Sequence, residues 1–149
     1  MTSLSIGALS QAAGVKVPTI RFYEEIGLMP APPRTASNRR SYGDAQLKRL
    51  RFIRHGRDLG FSVDDIRDLL AMTLDPQGSC AGADSIARRH FDGVERRIAQ
   101  LHRLRDELAR MIGACDHGSV AECRVIETLA DHSLCVGDHG AAQTTARRP

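Results

Sequence analysis

Three cysteines and one histidine stand where their side chains could bind a metal ion. Cys115 and Cys123 lie on either side of a seven-residue loop, and His117 lies within it. Cys80 lies much earlier, in polar sequence. Thiolates bind soft or borderline ions such as Zn(II), Cd(II), Hg(II), Pb(II) and Cu(I) in preference to Mg(II) or Ca(II). These residues therefore predict a soft-metal site. The alternative is that the three cysteines are unrelated small core residues.

The residues between Cys80 and Cys115 must form the element that decides how these thiols can meet. Residues 83–114 contain no proline, and apolar side chains recur there at steps of three and four, which predicts a long helix that pairs with another helix. About 32 helical residues span roughly 48 Å, so the two thiols of one chain cannot touch. Two such helices lying antiparallel would bring the start of each against the end of the other. The predicted dimer seam consists of Phe91, Val94, Ile98, Leu101, Leu108 and Ile112, with Arg105 as its polar interruption.

Histidines near the cysteines could add nitrogen ligands. His117 in the loop would favour tetrahedral Zn(II) or Cd(II), although a solvated loop histidine is the alternative. His132, Cys135 and His139 form a further soft group near the C-terminus. Residues 132–149 are rich in small and polar side chains, so we expect a flexible tail there.

Positive charge is concentrated in the N-terminal third of the chain. Residues 1–57 contain ten Lys and Arg against three Asp and Glu, whereas residues 58–149 contain eleven against fifteen. The overall net charge of +3 therefore hides a basic N-terminal segment, which is typical of a protein that binds a polyanion at one end. A solvated basic face is the alternative. The low aromatic content and the abundance of aliphatic helix formers favour a mainly α protein.

Two short helices joined at a glycine are expected at the N-terminus. Ser5 is a plausible N-cap, Gly14 interrupts the first helix, and residues 17–26 resume helical spacing. This pattern predicts a helix-turn-helix, in which the second helix meets phosphates and base edges in a DNA major groove. A helical hairpin that binds nothing is the alternative. The expected DNA-facing residues of the second helix are Lys16, Thr19, Arg21 and Tyr23.

A small hairpin, or wing, is expected after the second helix. Prolines at 30, 32 and 33 exclude a helix there, and residues 34–42 combine a turn with a basic and aromatic edge. We expect Arg39, Arg40 and Tyr42 to face the DNA backbone. Two helices should follow, one from residue 44 to 59 and one that begins at Ser62.

Several classes of protein are excluded or disfavoured. No segment is apolar enough to span a bilayer, and the N-terminus does not resemble a signal peptide, so we expect a cytoplasmic protein with no membrane partner. Four cysteines in such a compartment are typical of reduced thiols or metal ligands. There is no catalytic constellation, phosphate loop or open metal site, so we do not expect an enzyme.

The N-terminal half carries motifs of a known family. The string T-I-R-F-Y-E at residues 19–24, Arg40-Ser41-Tyr42, and L-G-F-S at residues 59–62 resemble the MerR family of bacterial transcription regulators. The similarity covers roughly residues 4–130. It implies a winged helix-turn-helix DNA-binding domain, a linking helical pair and a long antiparallel coiled-coil dimerisation helix. The corresponding ranges are a DNA-binding domain (1–74), a hinge (75–81), the dimerisation helix (82–114), a metal-binding loop with a short helix (115–131) and the tail (132–149).

The resemblance also implies how such a protein acts. Family members form homodimers on promoter DNA, and metal binding makes the dimer bend and underwind the DNA so that RNA polymerase can engage. The metal-responsive branch ends its dimerisation helix in a cysteine-bracketed loop similar to the one here.

Cys80 decides which metal class the resemblance favours. In members that sense Cu, Ag or Au, the position before the long helix is a residue such as serine, whereas in members that sense divalent ions it is a cysteine that reaches the partner's loop. The resemblance therefore implies a site for Zn, Cd, Pb or Hg at the dimer interface, formed by Cys80 of one chain with Cys115 and Cys123 of the other. The alternatives are a monovalent Cu or Ag sensor, which the loop length alone permits, and a thiol-based redox sensor.

Overall fold

The computed structural model describes residues 3–136, and within that range the protein is helical, with isolated β-bridges and no strand. The chain divides into two compact units, Met1–Ile86 and Ala87–Pro149. The helices are α1 (Ile6–Ala13), α2 (Val17–Glu25), α3 (Asp44–Asp58), α4 (Val63–Met72), α5 (Ala81–Gly113) and α6 (Arg124–Ala130), with 3-10 turns at Val120–Glu122 and His132–Leu134.

The first two helices form the predicted helix-turn-helix. The Ser5 hydroxyl accepts a hydrogen bond from the Ala8 N–H at 3.2 Å and so caps the start of α1. Helix α1 ends at Gly14, whose φ of 64° lies in the left-handed region that favours glycine. Pro18 lies in the first turn of α2, where its missing N–H has no helical partner to lose.

The N-terminal unit has one apolar core, to which α1, α2, α3 and α4 all contribute. Polar contacts from α3 tie this core to the turns around it. Arg54 Nη1 donates to the Ala13 carbonyl at 2.8 Å, and Arg49 Nε donates to the Leu28 carbonyl at 2.8 Å. Because the last carbonyls of a helix lack helical partners, the Arg54 contact stabilises the end of α1. The fully buried apolar residues are Leu9, Ile20, Leu28, Met29, Tyr42, Leu50, Ile53 and Ile66.

The predicted wing is a compact hydrogen-bonded turn. The Thr35 N–H donates to the Arg39 carbonyl at 2.8 Å, and Arg34 Nη1 donates to Asn38 Oδ1 at 3.1 Å. Asn38 adopts a left-handed φ of 59°, a conformation that asparagine tolerates better than most residues. Backbone pairing continues only as isolated bridges, Arg34 with Arg40 and Leu4 with Tyr42.

Helices α4 and α5 begin close to where the sequence predicts. The Ser62 hydroxyl accepts from the Asp65 N–H at 3.0 Å, which is the predicted cap of α4. Helix α5 is continuous over 33 residues. No helix within residues 3–136 is long and apolar enough to cross a membrane.

Residues 132–136, at the start of the expected flexible tail, form local structure and hydrogen bonds. A 3-10 turn forms at His132–Leu134, where Asp131 Oδ1 accepts from the Ser133 N–H at 2.9 Å. The Val136 N–H then donates to Oε2 of Glu107 on α5 at 3.2 Å, so a buried carboxylate holds this segment. The remainder of the predicted tail, including His139, lies outside the described residues.

Gly14 should be harder to replace than Gly27, although both have left-handed φ values of 64° and 71°. A Cβ on Gly14 would overlap the Arg54 guanidinium, whereas a Cβ on Gly27 would meet no atom within 4 Å. We expect Gly27→Ala to cost about 1–2 kcal/mol of folding stability from its backbone alone. Gly14→Ala should cost more, because Arg54 must also leave the Ala13 carbonyl. Urea denaturation at equal protein concentration measures both, and equal losses would contradict the role assigned to Arg54.

Candidate DNA-binding surface and metal-binding cysteines

Helix α2 presents part of the predicted DNA-facing set to solvent. Lys16, at the N-cap, and Arg21 are exposed, and Thr19 is half-buried. The prediction that Tyr23 faces outward is wrong, because its side chain is only 8% exposed and belongs to the core. Ile20 and Tyr23 are three residues apart and share the buried face of the helix, whereas Phe22 is 49% exposed.

The prediction that Tyr42 faces the DNA backbone is also wrong. Its side chain is fully buried, and its backbone pairs with that of Leu4 through hydrogen bonds of 2.8 and 3.0 Å. Its hydroxyl donates to Glu24 Oε1 on α2 at 2.6 Å. Burial, followed by this hydrogen bond to Glu24, raises the pKa of the Tyr42 phenol well above its usual value. Tyr42 therefore links the base of the wing to α2 as a protonated donor.

The two arginines of the wing are exposed, as predicted. Arg40 Nε lies 3.5 Å from Glu24 Oε2, and the Glu24 side chain is only 10% exposed. A groove of about 330 Å³ lies between α2 and the wing, and arginines from both sides line it. Two of them, Arg21 and Arg40, belong to the predicted DNA-facing set. The third, Arg34, lies outside that predicted set, although it begins the same basic turn as Arg39 and Arg40.

The candidate metal ligands lie at helix ends. Cys80 is exposed and directly precedes α5, where its carbonyl accepts the Asp84 N–H at 3.0 Å. Cys115 is half-buried just beyond α5, and Cys123 is half-buried at the N-cap of α6. All three are free thiols. Two thiols at the ends of one loop, and a third at the start of a helix, are a donor set suited to a soft ion.

One chain does not assemble a three-ligand group from these residues. Within residues 3–136, no three side chains of His, Cys, Asp or Glu converge on a possible metal position. His117, whose φ is 59°, therefore does not form such a group with Cys115 and Cys123. His132 and Cys135 are not part of such a group either.

Cys135 lies in a different electrostatic environment. Its side chain is half-buried beside Glu107. Burial, the hydrogen bond to Glu107 and the negative charge of Glu107 all raise the pKa of the Cys135 thiol. Burial opposes the charge on Glu107, but Arg110 and the Val136 N–H outweigh that effect and lower the pKa of Glu107. An ionised carboxylate beside Cys135 disfavours the thiolate that a metal ion requires.

The predicted dimer seam forms an exposed apolar stripe along α5. Ile98 is 42% exposed and Ile112 is 70% exposed, and the other predicted seam residues lie between these values. Leu104 is 39% exposed and continues the stripe beside Arg105, where the sequence pattern showed an interruption. A continuous exposed row of large apolar side chains is typical of a binding surface for another chain. The complete stripe is Phe91, Val94, Ile98, Leu101, Leu104, Leu108 and Ile112.

Comparison with known proteins gives consistent matches. The family described as "MerR HTH family regulatory protein" matches residues 4–73, and the one described as "MerR, DNA binding" matches residues 47–111. The chain is 38% identical over 133 residues to heavy metal-dependent transcription regulator 2 of Rhizobium meliloti, covering 89% of this chain and 90% of that protein. It is 40% identical over 128 residues to the HTH-type transcriptional regulator ZntR of Escherichia coli, covering 83% and 90%.

A solved structure gives the same result. The transcription regulator PbrR691 of Ralstonia metallidurans, in complex with lead(II), superimposes with a TM-score of 0.75 at 34% identity. The match covers 85% of this chain and 98% of that one.

A charge placed in the stripe on α5 should dissociate dimers. Leu101→Asp would put a carboxylate among apolar side chains that we expect to pack against a second helix, where an unpaired charge is costly. Ala99→Asp adds the same carboxylate at an exposed position about 160° around the helix from Leu101. We expect sedimentation velocity to show monomers for Leu101→Asp and dimers for Ala99→Asp. A fully dimeric Leu101→Asp variant would mean that the stripe is not the dimer contact.

Proposed function

The chain belongs to the MerR family of helix-turn-helix transcription regulators, and on this basis we propose that it is a metal-responsive activator. It binds promoter DNA as a homodimer and distorts the DNA when a divalent soft ion (Zn, Cd, Pb or Hg) is bound. The arrangement of three free cysteines, one before α5 and two around the loop after it, carries this proposal. The family's role is DNA binding rather than catalysis.

The N-terminal unit supplies the DNA contacts in this proposal. Lys16 is the N-cap of α2, Thr19 lies in its first turn and Arg21 lies at its centre. These side chains suit phosphates and base edges in a major groove. Arg39 and Arg40 extend from the wing, where guanidinium groups suit the phosphate backbone. Each half of a palindromic promoter element would receive one such unit.

The metal site in this proposal requires both chains. Thirty-three helical residues are about 50 Å long, so the thiols at opposite ends of one α5 do not share an ion. If the apolar stripes of two α5 helices pack antiparallel, Cys80 of one chain lies near Cys115 and Cys123 of the other. Within residues 3–136, one chain brings no three His, Cys, Asp or Glu side chains together at a possible metal position. A site shared between two chains is consistent with this arrangement.

The class of ion follows from the number of thiolates. Two thiolates alone suit the linear coordination of Cu(I) or Ag(I), whereas a third thiolate suits Zn(II), Cd(II), Pb(II) or Hg(II). The exposed thiol of Cys80 is available as that third ligand, and the similar PbrR691 has been solved with lead(II). His117 would add a nitrogen ligand only after the loop rearranges.

The response is a change in DNA shape rather than the release of DNA. An ion shared between chains couples the end of one α5 to the start of the other, so that metal binding favours one dimer geometry over another. A dimer held in that geometry can bend and underwind the DNA between its two contacts. RNA polymerase then meets a promoter whose elements are correctly spaced. We expect this to take place in the cytoplasm.

A monovalent Cu or Ag sensor is the second candidate, because the loop thiols are the two cysteines that one chain brings close in sequence. A promoter–reporter panel with Zn, Cd, Pb, Hg, Cu and Ag salts separates the two functions. Activation by divalent ions supports the proposal, and activation confined to Cu and Ag supports the second candidate. A response to oxidants in the absence of any metal would instead indicate a thiol-based redox sensor.

Removing the Cys80 thiol should abolish the divalent response without affecting dimerisation or DNA binding. We expect Cys80→Ser to lose reporter activation because the shared site loses one of its three thiolates. Cys135→Ser is the matched control, since Glu107 disfavours its thiolate, and should respond like the wild type. Mixing Cys80→Ser with Cys115→Ser chains should restore one intact site per heterodimer. A mixture with no metal response would indicate that the ligands come from one chain.

Arg21 should contribute a phosphate or base-edge contact. Arg21→Ala should weaken promoter binding, and, if its contact is to a phosphate, the slope of log affinity against log salt should fall by about one. Arg97→Ala removes the same charge from the exposed surface of α5 and should leave both quantities unchanged. Fluorescence anisotropy across a salt series gives the affinity and the slope. Unchanged binding by Arg21→Ala would place α2 outside the DNA interface.

A further inference from the structure

The carboxylate of Glu24 joins two elements that should meet DNA at different points. It extends from α2, and its side chain is only 10% exposed. Oε1 accepts the Tyr42 hydroxyl at 2.6 Å, and Oε2 lies 3.5 Å from Arg40 Nε. A nearly buried carboxylate is stable when its oxygens have such partners. Glu24 is therefore bound on both sides by residues at the base of the wing.

Tyr42 makes this connection stiff. Its ring is fully buried in the core, and its backbone is paired with Leu4 in both directions. Arg40 lies two residues before Tyr42 and pairs with Arg34 through the β-bridge at the base of the hairpin. The two contacts of Glu24 therefore connect α2 to a firmly held part of the hairpin.

We propose that Glu24 is a positioning residue for DNA distortion, because it holds the wing at a fixed distance from α2. This inference rests on the proposed function. A protein can contact DNA at two points whose separation on the protein differs from the separation of the matching points on undistorted DNA. In that case the more flexible of the two molecules changes shape. If the spacing between α2 and the wing is fixed, the DNA has to deform. If the contacts of Glu24 are lost, the wing can move and the DNA keeps its shape.

The structure also distinguishes Glu24 from its neighbour. Glu25 is exposed, with no ion pair or side-chain hydrogen bond to the wing among the contacts of residues 3–136. Glu24→Gln and Glu25→Gln remove the same charge from adjacent positions on α2. Both variants change DNA affinity through the loss of one negative charge. Any difference in DNA affinity between them therefore measures the effect of the contacts between α2 and the wing. Glu24→Gln loses the ion pair with Arg40 but keeps an oxygen that can accept the Tyr42 hydroxyl, whereas Tyr42→Phe loses that hydrogen bond and changes no charge.

The test compares affinity for an intact promoter duplex with affinity for the same duplex nicked at its centre. A nick lowers the cost of bending and untwisting, so a protein that distorts DNA binds the nicked duplex more tightly. For the full-length wild-type dimer, measured with and without added Zn²⁺, we expect a preference of at least about fivefold for nicked DNA in one of the two conditions. Glu25→Gln should keep the wild-type preference. Glu24→Gln and Tyr42→Phe should each lower that preference while retaining affinity for the nicked duplex.

Each remaining outcome overturns the inference. A wild-type preference that persists unchanged in Glu24→Gln and Tyr42→Phe would remove the role of Glu24 and leave the proposed function standing. A wild-type dimer with equal affinity for both duplexes would refute distortion itself. Loss of helicity by circular dichroism, or loss of binding to both duplexes in both variants, would show that Glu24 only maintains the fold.

Discussion

The apolar stripe on α5 is left exposed by the described part of the chain, residues 3–136, and the proposed features of the protein depend on how that surface is covered. Seven large apolar side chains along this helix are between 39% and 70% exposed. Removing such side chains from water is worth roughly 1.5–3 kcal/mol each when burial is complete, so a second helix with the same stripe is a strongly favourable partner. Self-pairing of identical stripes also gives the two-fold symmetry that a palindromic DNA element requires. The thiols at the ends of α5 acquire their proposed relationship only through this pairing.

The basic character of the N-terminal third has two separate origins. Some of the arginines on α3 are structural, because Arg49, Arg51 and Arg54 donate to the carbonyls of Leu28, Ala12 and Ala13. The charges that remain for a polyanion are concentrated at the start of α2 and in the wing. Net charge therefore identifies the class of partner correctly but overstates the number of residues in contact with it. The proposed DNA interface is therefore on the side of the unit where the groove between α2 and the wing lies.

The sequence predicts the elements better than it predicts side-chain direction. Apolar periodicity and capping residues are local signals, so α1, α2, the start of α4 and the continuous α5 follow from them. Tyr23 and Tyr42 were assigned to the DNA face because tyrosine often contacts phosphates, yet the same side chain can fill a core when its hydroxyl has an acceptor. That acceptor, Glu24, is 18 residues from Tyr42 in the chain and has no local signal. Contact with Glu107, 29 residues away, likewise orders Val136 within a segment whose composition suggests a flexible tail.

The charge of Glu107 distinguishes Cys135 from the other three cysteines, which composition alone does not separate. Binding of a metal ion requires a thiolate, and a neighbouring carboxylate opposes its formation. Glu107 keeps its charge because Arg110 and the Val136 N–H favour the ionised form, and its pKa is lowered as a result. The contact between Glu107 and the last described residues therefore persists above the usual glutamate pKa and is lost only as the pH falls through the lowered value. Throughout that range the pKa of Cys135 stays raised. The contact that holds Val136 against α5 thus also disfavours the Cys135 thiolate.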